Sequence, residues 1–348
     1  MRKTSPSPRN IALDASRGIA ALVVLFYHVT YTLHFGEWSE SRPIKTIELV
    51  ILLPAKFGEL AVYYFMILSG YVLSIAFKKL NHAKYSEWLI WRAIRLIPIY
   101  YIALSLSYLV TESIFHTTKF EISYLNHLYL FDNNKIYAGP NPPLWSLSVE
   151  IFLSLIFLLL FRLRGQNQHY QALCLVLLFS LSYFVEGWGE RAILRSSIFF
   201  VMGILMQNRI YEKSNLQKIG KSMFFFLTFI LLLVQLLQVP YANQIVTALQ
   251  IVYLPLILRQ LISNTKLVIL RSRVLGLLGK MSFSLYVFHW PVLLVLQASS
   301  FFNEDIFKVK LIAVLVVSLV TILVTALLYF VIERPLKALC DVYASKIR

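Results

Sequence analysis

Apolar stretches of about 15 to 24 residues alternate with short polar and basic segments along the whole chain. Because a helix that crosses a bilayer needs roughly 20 apolar residues, each stretch predicts a membrane-spanning helix. The fold class predicted is therefore an all-α polytopic membrane protein with about ten transmembrane helices. The ten spans lie at approximately residues 11–33, 58–77, 98–115, 144–161, 170–187, 193–207, 222–239, 243–261, 281–301 and 309–332.

Composition supports a protein that is embedded in the membrane over nearly its full length. Of the 348 residues, 58% are hydrophobic and only 14% are charged, and no polar stretch is long enough for a soluble domain. We divide the chain into a tail at 1–10, a membrane domain at 11–332 and a second tail at 333–348. The basic first residues resemble the start of a signal peptide, but Arg17 interrupts the apolar run and no small-residue cleavage site follows. We therefore expect an uncleaved first span.

The net charge of +16 is spread over short clusters between the apolar runs. A nucleic-acid partner is disfavoured because its binding surface would concentrate the charge on one face. In the ten-span arrangement, 24 of the 33 Lys and Arg residues fall on the side that holds both termini and 9 fall on the other. The positive-inside rule then places both termini in the cytoplasm.

The first span carries two ionisable residues, Arg17 and His28. They are eleven residues apart, so a helix places them on one face, about three turns and about 16 Å apart along its axis. An ionisable side chain at the bilayer centre costs about 3 kcal/mol or more, so such residues usually serve a function. With the N-terminus in the cytoplasm, Arg17 lies near the cytoplasmic face and His28 near the outer one.

Glu150, near the start of the fourth span, has a predicted depth similar to that of His28. A carboxylate beside an imidazole holds its tautomer and raises its basicity, which suits a general base that deprotonates a hydroxyl. The alternative is that a backbone carbonyl or a hydroxyl satisfies each side chain separately.

Arg92 and Arg95 precede the third span and share one side of a helix at the cytoplasmic level of Arg17. Three guanidinium groups at one level could form a phosphate site. The alternatives are that Arg92 and Arg95 extend to lipid headgroups, and that Asp14 is a structural partner of Arg17.

Other polar residues in the spans have structural or functional interpretations. His289, in the ninth span, bridges helices or takes part in catalysis, and the small pair Ser69 and Gly70 allows close helix packing or lines a cavity. Glu333 and Arg334 suggest a helix end with a local ion pair. The two cysteines are far apart, and no metal-ligand cluster, phosphate-binding loop or serine-hydrolase motif is present.

Seven pieces of the sequence, in order, give the chain a resemblance to the acyltransferase family 3 membrane proteins. These proteins transfer acyl groups, usually acetyl, to extracytoplasmic sugars and related acceptors. The matching pieces are Arg17 with His28, FMILSGY (Phe65–Tyr71), RAIRLIPIY (Arg92–Tyr100), PLWSLSVE (Pro143–Glu150), FFVMGIL (Phe199–Leu205), SFSLYVFHWP (Ser282–Pro291) and ERP (Glu333–Pro335).

The resemblance implies an O-acyltransferase in a bacterial cytoplasmic (inner) membrane, with acetyl-CoA as donor and no metal. It implies that the donor phosphates bind near Arg17, Arg92 and Arg95 and that the pantetheine arm follows the first span to His28. His28, oriented by Glu150, would deprotonate a hydroxyl of an envelope glycan or lipid-linked sugar. Trp145, Ser146 and Tyr286 join His289, Ser69 and Gly70 as lining or structural residues, and loop 116–143 is the expected acceptor contact. Direct transfer and an acyl-histidine intermediate both remain open.

Two other functions fit the same residues. A secondary transporter could use Arg17, His28, Glu150 and His289 as a substrate or proton path, although we find no paired Gly/Pro interruptions of the kind that inverted-repeat transporters carry. A non-catalytic membrane scaffold would not need ionisable groups at coordinated depths.

Overall fold

We describe the protein from a computed structural model. The described residues are 11–32, 57–79, 85–115, 140–164, 188–207, 242–263, 272–298 and 307–339, with a few positions in 170–178 and in 226–230. The predicted tail 1–10, residues 340–348 of the second tail, most of the predicted spans 170–187 and 222–239, and residues 116–139 of the predicted outer loop lie outside them.

The described part of the chain is helical and contains no strand. Six of its helices are long and apolar enough to cross a membrane, which confirms the prediction of an all-helical membrane protein. The long helices are α1 (Ile11–Thr32), α2 (Gly58–Lys79), α3 (Tyr85–Phe115), α4 (Trp145–Arg164), α5 (Trp188–Met206), α6 (Ala242–Ser263), α7 (Arg273–Gln297) and α8 (Phe307–Leu328).

The third helix begins earlier than the sequence pattern predicts. α3 starts at Tyr85 rather than at Pro98, and Pro98 lies inside it. Proline fits a helix interior in a membrane protein because neighbouring helices can satisfy the carbonyl that it frees. Arg92 consequently lies about 10 Å inside the helix, not in a loop before it.

The fourth helix begins inside the protein. Asn141, which precedes a short 3-10 turn at Pro142–Leu144, is 1% exposed. Its amide nitrogen donates to the Ser107 hydroxyl of α3 at 3.0 Å and to the Val287 carbonyl of α7 at 3.4 Å. Pro291 frees that carbonyl because it has no N–H to offer to the residue four positions before it. Since α7 continues about 15 Å beyond Val287, α4 does not start at the membrane boundary.

Helices α1 and α7, which carry the candidate site, pack against each other backbone to backbone. A Cβ atom on Gly18 would lie 2.7 Å from the backbone nitrogen of Gly279, and one on Gly279 would lie 2.0 Å from the backbone oxygen of Asp14. Ten residues further along each helix, His28 meets His289. The equal intervals show that the two helices run parallel and in register.

Helices α2 and α5 form a second parallel pair. A Cβ atom on Gly70 would lie 1.9 Å from the Phe200 carbonyl oxygen, and one on Gly203 would lie 1.9 Å from that of Ile67. One turn earlier on both helices, the rings of Tyr63 and Phe199 stack with their centroids 4.9 Å apart. Both glycines therefore allow backbone-to-backbone packing.

The last helix continues past its predicted end and packs against both α7 and α1. After a π-helical turn at Tyr329–Glu333 it extends to residue 339. Glu333 is 2% exposed and accepts hydrogen bonds from the backbone nitrogen and hydroxyl of Ser284 at 3.1 and 2.6 Å. The predicted ion pair between Glu333 and Arg334 is therefore wrong, because Arg334 packs over the Phe330 ring instead.

We predict that Gly279→Ala destabilises the protein by about 3 kcal/mol, because its methyl group would overlap the Asp14 backbone. The measurement is the thermal unfolding midpoint of the purified protein in detergent. Gly276→Ala on the same helix is the matched control, since no atom lies within 4 Å of its Cβ position. It should leave the midpoint unchanged or raise it slightly. Equal midpoints for the two variants would contradict the close packing of α1 and α7.

Candidate active site

Two histidines on neighbouring helices form the centre of the candidate site. Nε2 of His289 lies 3.1 Å from Nδ1 of His28, and the two ring centroids are 4.9 Å apart. Nδ1 of His28 also lies 3.0 Å from the carbonyl oxygen of Val24, one turn earlier in α1. The contact is a consequence of the parallel register of α1 and α7.

The two rings differ in exposure. His289 is 1% exposed, and its Nδ1 lies 2.7 Å from the carbonyl oxygen of Tyr286 and 3.1 Å from that of Leu285. His28 is only partly buried, and the Trp290 ring stands edge-on to it with centroids 5.5 Å apart. His28 is therefore the member of the pair that a substrate can reach.

Hydrogen bonds made by hydroxyl groups join α7 to the start of α4, one turn before His289 on α7. The Tyr286 hydroxyl donates to the Pro143 carbonyl at 2.8 Å and is also hydrogen-bonded to the Ser146 hydroxyl. Ser146 and Tyr286 are both buried. These bonds fix the buried start of α4 against the helix that carries His289.

One turn further along α4, Glu150 belongs to a separate polar cluster. Its Oε1 accepts hydrogen bonds from Arg92 and, at 2.6 Å, from the Ser69 hydroxyl. Arg92 also donates to that hydroxyl at 2.7 Å and packs over the Trp88 ring. The side chains of Arg92 and Glu150 are 17% and 19% exposed. The cluster therefore holds α2, α3 and α4 together around an ion pair that is mostly shielded from water.

The structure does not bring Glu150 to His28, so the predicted orienting pair is wrong. The hydrogen bond between Tyr286 and Ser146 marks one depth that α7 and α4 share. From this level His289 lies three residues further along α7, and Glu150 lies four residues further along α4, which runs in the opposite direction. At 1.5 Å per residue the separation in depth is about 10 Å. The prediction placed Leu144 at the membrane boundary, but α4 begins about 15 Å deeper than the end of α7.

The three predicted phosphate-binding arginines do not share one environment. Arg92 is paired with Glu150, so its guanidinium is not a free cation. Arg17 lies on α1 beside the Gly18 contact, close enough to Tyr64 for an electrostatic interaction, and forms no ion pair with any described residue. Arg95 is partly buried on α3. For Arg17 and Arg95 the phosphate site stays a prediction.

The remaining predicted residues line or support these contacts. Ser69 bonds to the ion pair, and the adjacent Gly70 packs against α5. Trp145 is partly buried in the first turn of α4. Among the described residues, no group of three or more His, Cys, Asp or Glu side chains could hold a metal ion.

Comparison with known protein families identifies the family of the chain. The family model of an acyltransferase domain, that of acyltransferase family 3, matches residues 10–331 of the chain. The chain belongs to acyltransferase family 3. No curated protein and no solved structure matches this acyltransferase. The resemblance drawn from the sequence motifs is therefore confirmed.

Sequence reasoning missed His289 as the partner of His28 in this acyltransferase. The signal was present as a repeated interval, since each histidine follows a helix-contact glycine, Gly18 or Gly279, by ten residues. Reading it requires knowing that the first and ninth spans are neighbours, which the local sequence pattern does not reveal. Asn141 was missed as well, because its importance depends on the buried start of α4.

We predict that Arg92→Met destabilises the protein by about 3 kcal/mol, because it leaves the Glu150 carboxylate shielded and unpaired. The double variant Arg92→Met/Glu150→Leu should be more stable than Arg92→Met alone, since it removes both charges. Chemical unfolding of the wild type, both single variants and the double variant in detergent completes the thermodynamic cycle. Strictly additive effects would show that the ion pair does not stabilise the fold.

Proposed function

We propose that this membrane acyltransferase moves an acetyl group from cytoplasmic acetyl-CoA to a hydroxyl of an extracytoplasmic envelope glycan or lipid-linked sugar. The observation that carries the proposal is the environment of His28, in a chain that belongs to acyltransferase family 3. His28 is a partly exposed imidazole with a hydrogen-bonded partner deep in the helices, about 16 Å along α1 from the unpaired Arg17.

The direction of the reaction follows from a ten-span topology, for which the parallel helix pairs are evidence. Two parallel membrane helices are separated by an odd number of crossings. Between α2 and α5 lie α3 and α4, so a third crossing is needed, which the predicted span 170–187 supplies. Between α1 and α7 the predicted span 222–239 is needed for the same reason. Ten crossings put both termini on one side, and the basic residues favour the cytoplasm.

In this orientation Arg17 lies toward the cytoplasm and His28 toward the outside. We assign the donor phosphates to Arg17, because a guanidinium without an acidic partner among the described residues retains its full charge for a phosphate. Arg95, one of the arginines predicted at this level, is proposed as a second cation. Arg92 is a poor third member since Glu150 neutralises it. The extended pantetheine arm then follows α1, and its thioester meets His28.

The chemistry proposed is general-base catalysis of direct acyl transfer. The His28 imidazole takes the proton of the acceptor hydroxyl, and the oxygen forms a bond to the thioester carbonyl carbon. The bond between that carbon and sulfur breaks, and the proton held on His28 goes to the CoA thiolate. The net products are the acetyl ester and CoA, and the protein returns to its starting state.

An enzyme explains the family match and the histidine pair better than the alternatives do. A transporter path through Glu150 would need this carboxylate to exchange partners during transport, whereas Glu150 is bonded to Ser69 and Arg92, which are also bonded to each other. A scaffold does not account for a partly exposed histidine held by a second histidine. Family membership also favours acyl transfer.

We predict that His28→Ala lowers the rate of acetyl transfer by about 10² to 10⁴-fold, which is the usual contribution of a general base. The assay supplies membranes containing the protein with radiolabelled acetyl-CoA. It measures both free CoA and alkali-labile acetate in the envelope fraction. Ile19→Ala, an exposed apolar position on α1 between Arg17 and His28, is the control and should retain the wild-type rate.

Two results would contradict the proposed function. One is an unchanged rate of CoA release in His28→Ala, which would remove the general base. The other is a wild-type protein, folded and in membranes, that produces neither CoA nor alkali-labile acetate above membranes that lack it.

A further inference from the structure

We propose that His289 is the positioning residue of this site: it fixes the tautomer of His28 so that Nδ1 carries the proton and Nε2 is the base. The inference rests on the proposed function, in which His28 deprotonates the acceptor. It assigns to His289 a role that replaces the one predicted for Glu150.

The environment of His289 determines where its own proton lies. Its Nδ1 faces two carbonyl oxygens, those of Tyr286 at 2.7 Å and Leu285 at 3.1 Å. A carbonyl oxygen only accepts hydrogen bonds, so Nδ1 must carry a hydrogen. The ring is 1% exposed and contacts no carboxylate among the described residues, so a second proton would leave a buried, unpaired charge. His289 is therefore neutral, and its Nε2 is an acceptor.

The acceptor on His289 in turn determines the tautomer of His28. Nδ1 of His28 lies 3.1 Å from Nε2 of His289 and 3.0 Å from the Val24 carbonyl oxygen. Both neighbours are acceptors, so Nδ1 of His28 must carry the hydrogen that they share. In the neutral ring, Nε2 then holds the lone pair. No described residue occupies that nitrogen with a hydrogen bond.

The opposite tautomer of His28 is excluded by the same contacts. It would aim a lone pair at two other lone pairs, on Val24 and on His289, and would lose both hydrogen bonds. It would also place a hydrogen on Nε2, where the acceptor hydroxyl has to deliver its proton. His289 thus keeps the reactive nitrogen in the basic form.

A histidine suits this role in a membrane better than a carboxylate does. In soluble hydrolases a carboxylate accepts the N–H of the basic histidine. A carboxylate at this depth would bring a charge that is costly to bury, whereas neutral His289 accepts the same hydrogen bond without one. When His28 becomes protonated, its Nδ1–H stays on His289 and on the Val24 carbonyl.

The test compares His289→Gln with His289→Met. The glutamine side chain reaches about as far as the imidazole Nε2 and can offer its amide oxygen to the Nδ1–H of His28. Methionine has a similar length but only a weakly accepting sulfur. We expect kcat to fall about 10- to 100-fold in His289→Met and much less in His289→Gln. The KM for acetyl-CoA should be unchanged in both, because His289 does not contact the donor.

A second readout needs no activity. In protein labelled with ¹⁵N-histidine in lipid nanodiscs, the two nitrogens of a neutral imidazole give separate signals for the protonated and the unprotonated position. The His28 signals are assigned by their loss in His28→Ala. We expect Nδ1 of His28 to be the protonated nitrogen in the wild type and in His289→Gln, and to lose that preference in His289→Met.

Several outcomes would overturn the inference. They are a proton on Nε2 of wild-type His28, a wild-type kcat in His289→Met, and a folded His289→Gln that is no more active than His289→Met. The proposed function fails separately, through an unchanged rate in His28→Ala. If His28→Ala loses activity while His289→Met retains it, only the role of His289 is wrong.

Discussion

The backbone contact between α1 and α7 is the constraint on which the candidate site depends. Gly18 and Gly279 have no side chains, so the two helices approach until backbone meets backbone. Both helices rise by the same amount per residue, so a contact at the glycines places the residues ten positions later at the same depth on the two helices. His28 and His289 occupy those positions. The register of two helices, rather than a loop, therefore positions the site. This suits the His28 imidazole, which must keep one hydrogen-bond geometry with His289.

The ionisable side chains of the membrane helices have two kinds of environment. Arg92 and Glu150 neutralise each other and bind Ser69, so this cluster ties three helices together. Glu333 is also satisfied, by the backbone and hydroxyl of Ser284 on α7. Arg17 and His28 differ, because neither has an acidic partner among the described residues. In a membrane protein, ionisable groups without an acidic partner at such depth are the ones expected to meet substrate.

Features that depend on the local sequence pattern were predicted correctly. Features that depend on the depth of a residue in the protein, or on which helices are neighbours, were not. Apolar runs and motif order were enough for the helical class, the family and the shared face of Arg17 and His28. The depth of Glu150 was wrong because hydropathy cannot show that the chain enters the protein before α4 begins at Trp145. The predicted position of Arg92 at a membrane surface is wrong because Pro98 lies inside α3 and does not start it. His289 could not be matched with His28, since no local feature pairs the first span with the ninth.

The most direct measurement is an experimental density map of the protein in lipid nanodiscs with a non-hydrolysable thioether analogue of acetyl-CoA. We expect the phosphates to lie beside Arg17 and the acyl end to lie beside Nε2 of His28, with His289 within hydrogen-bonding distance on the other side of the ring. Phosphates at the His28 end, or an acyl group that reaches neither histidine, would contradict the proposed mechanism.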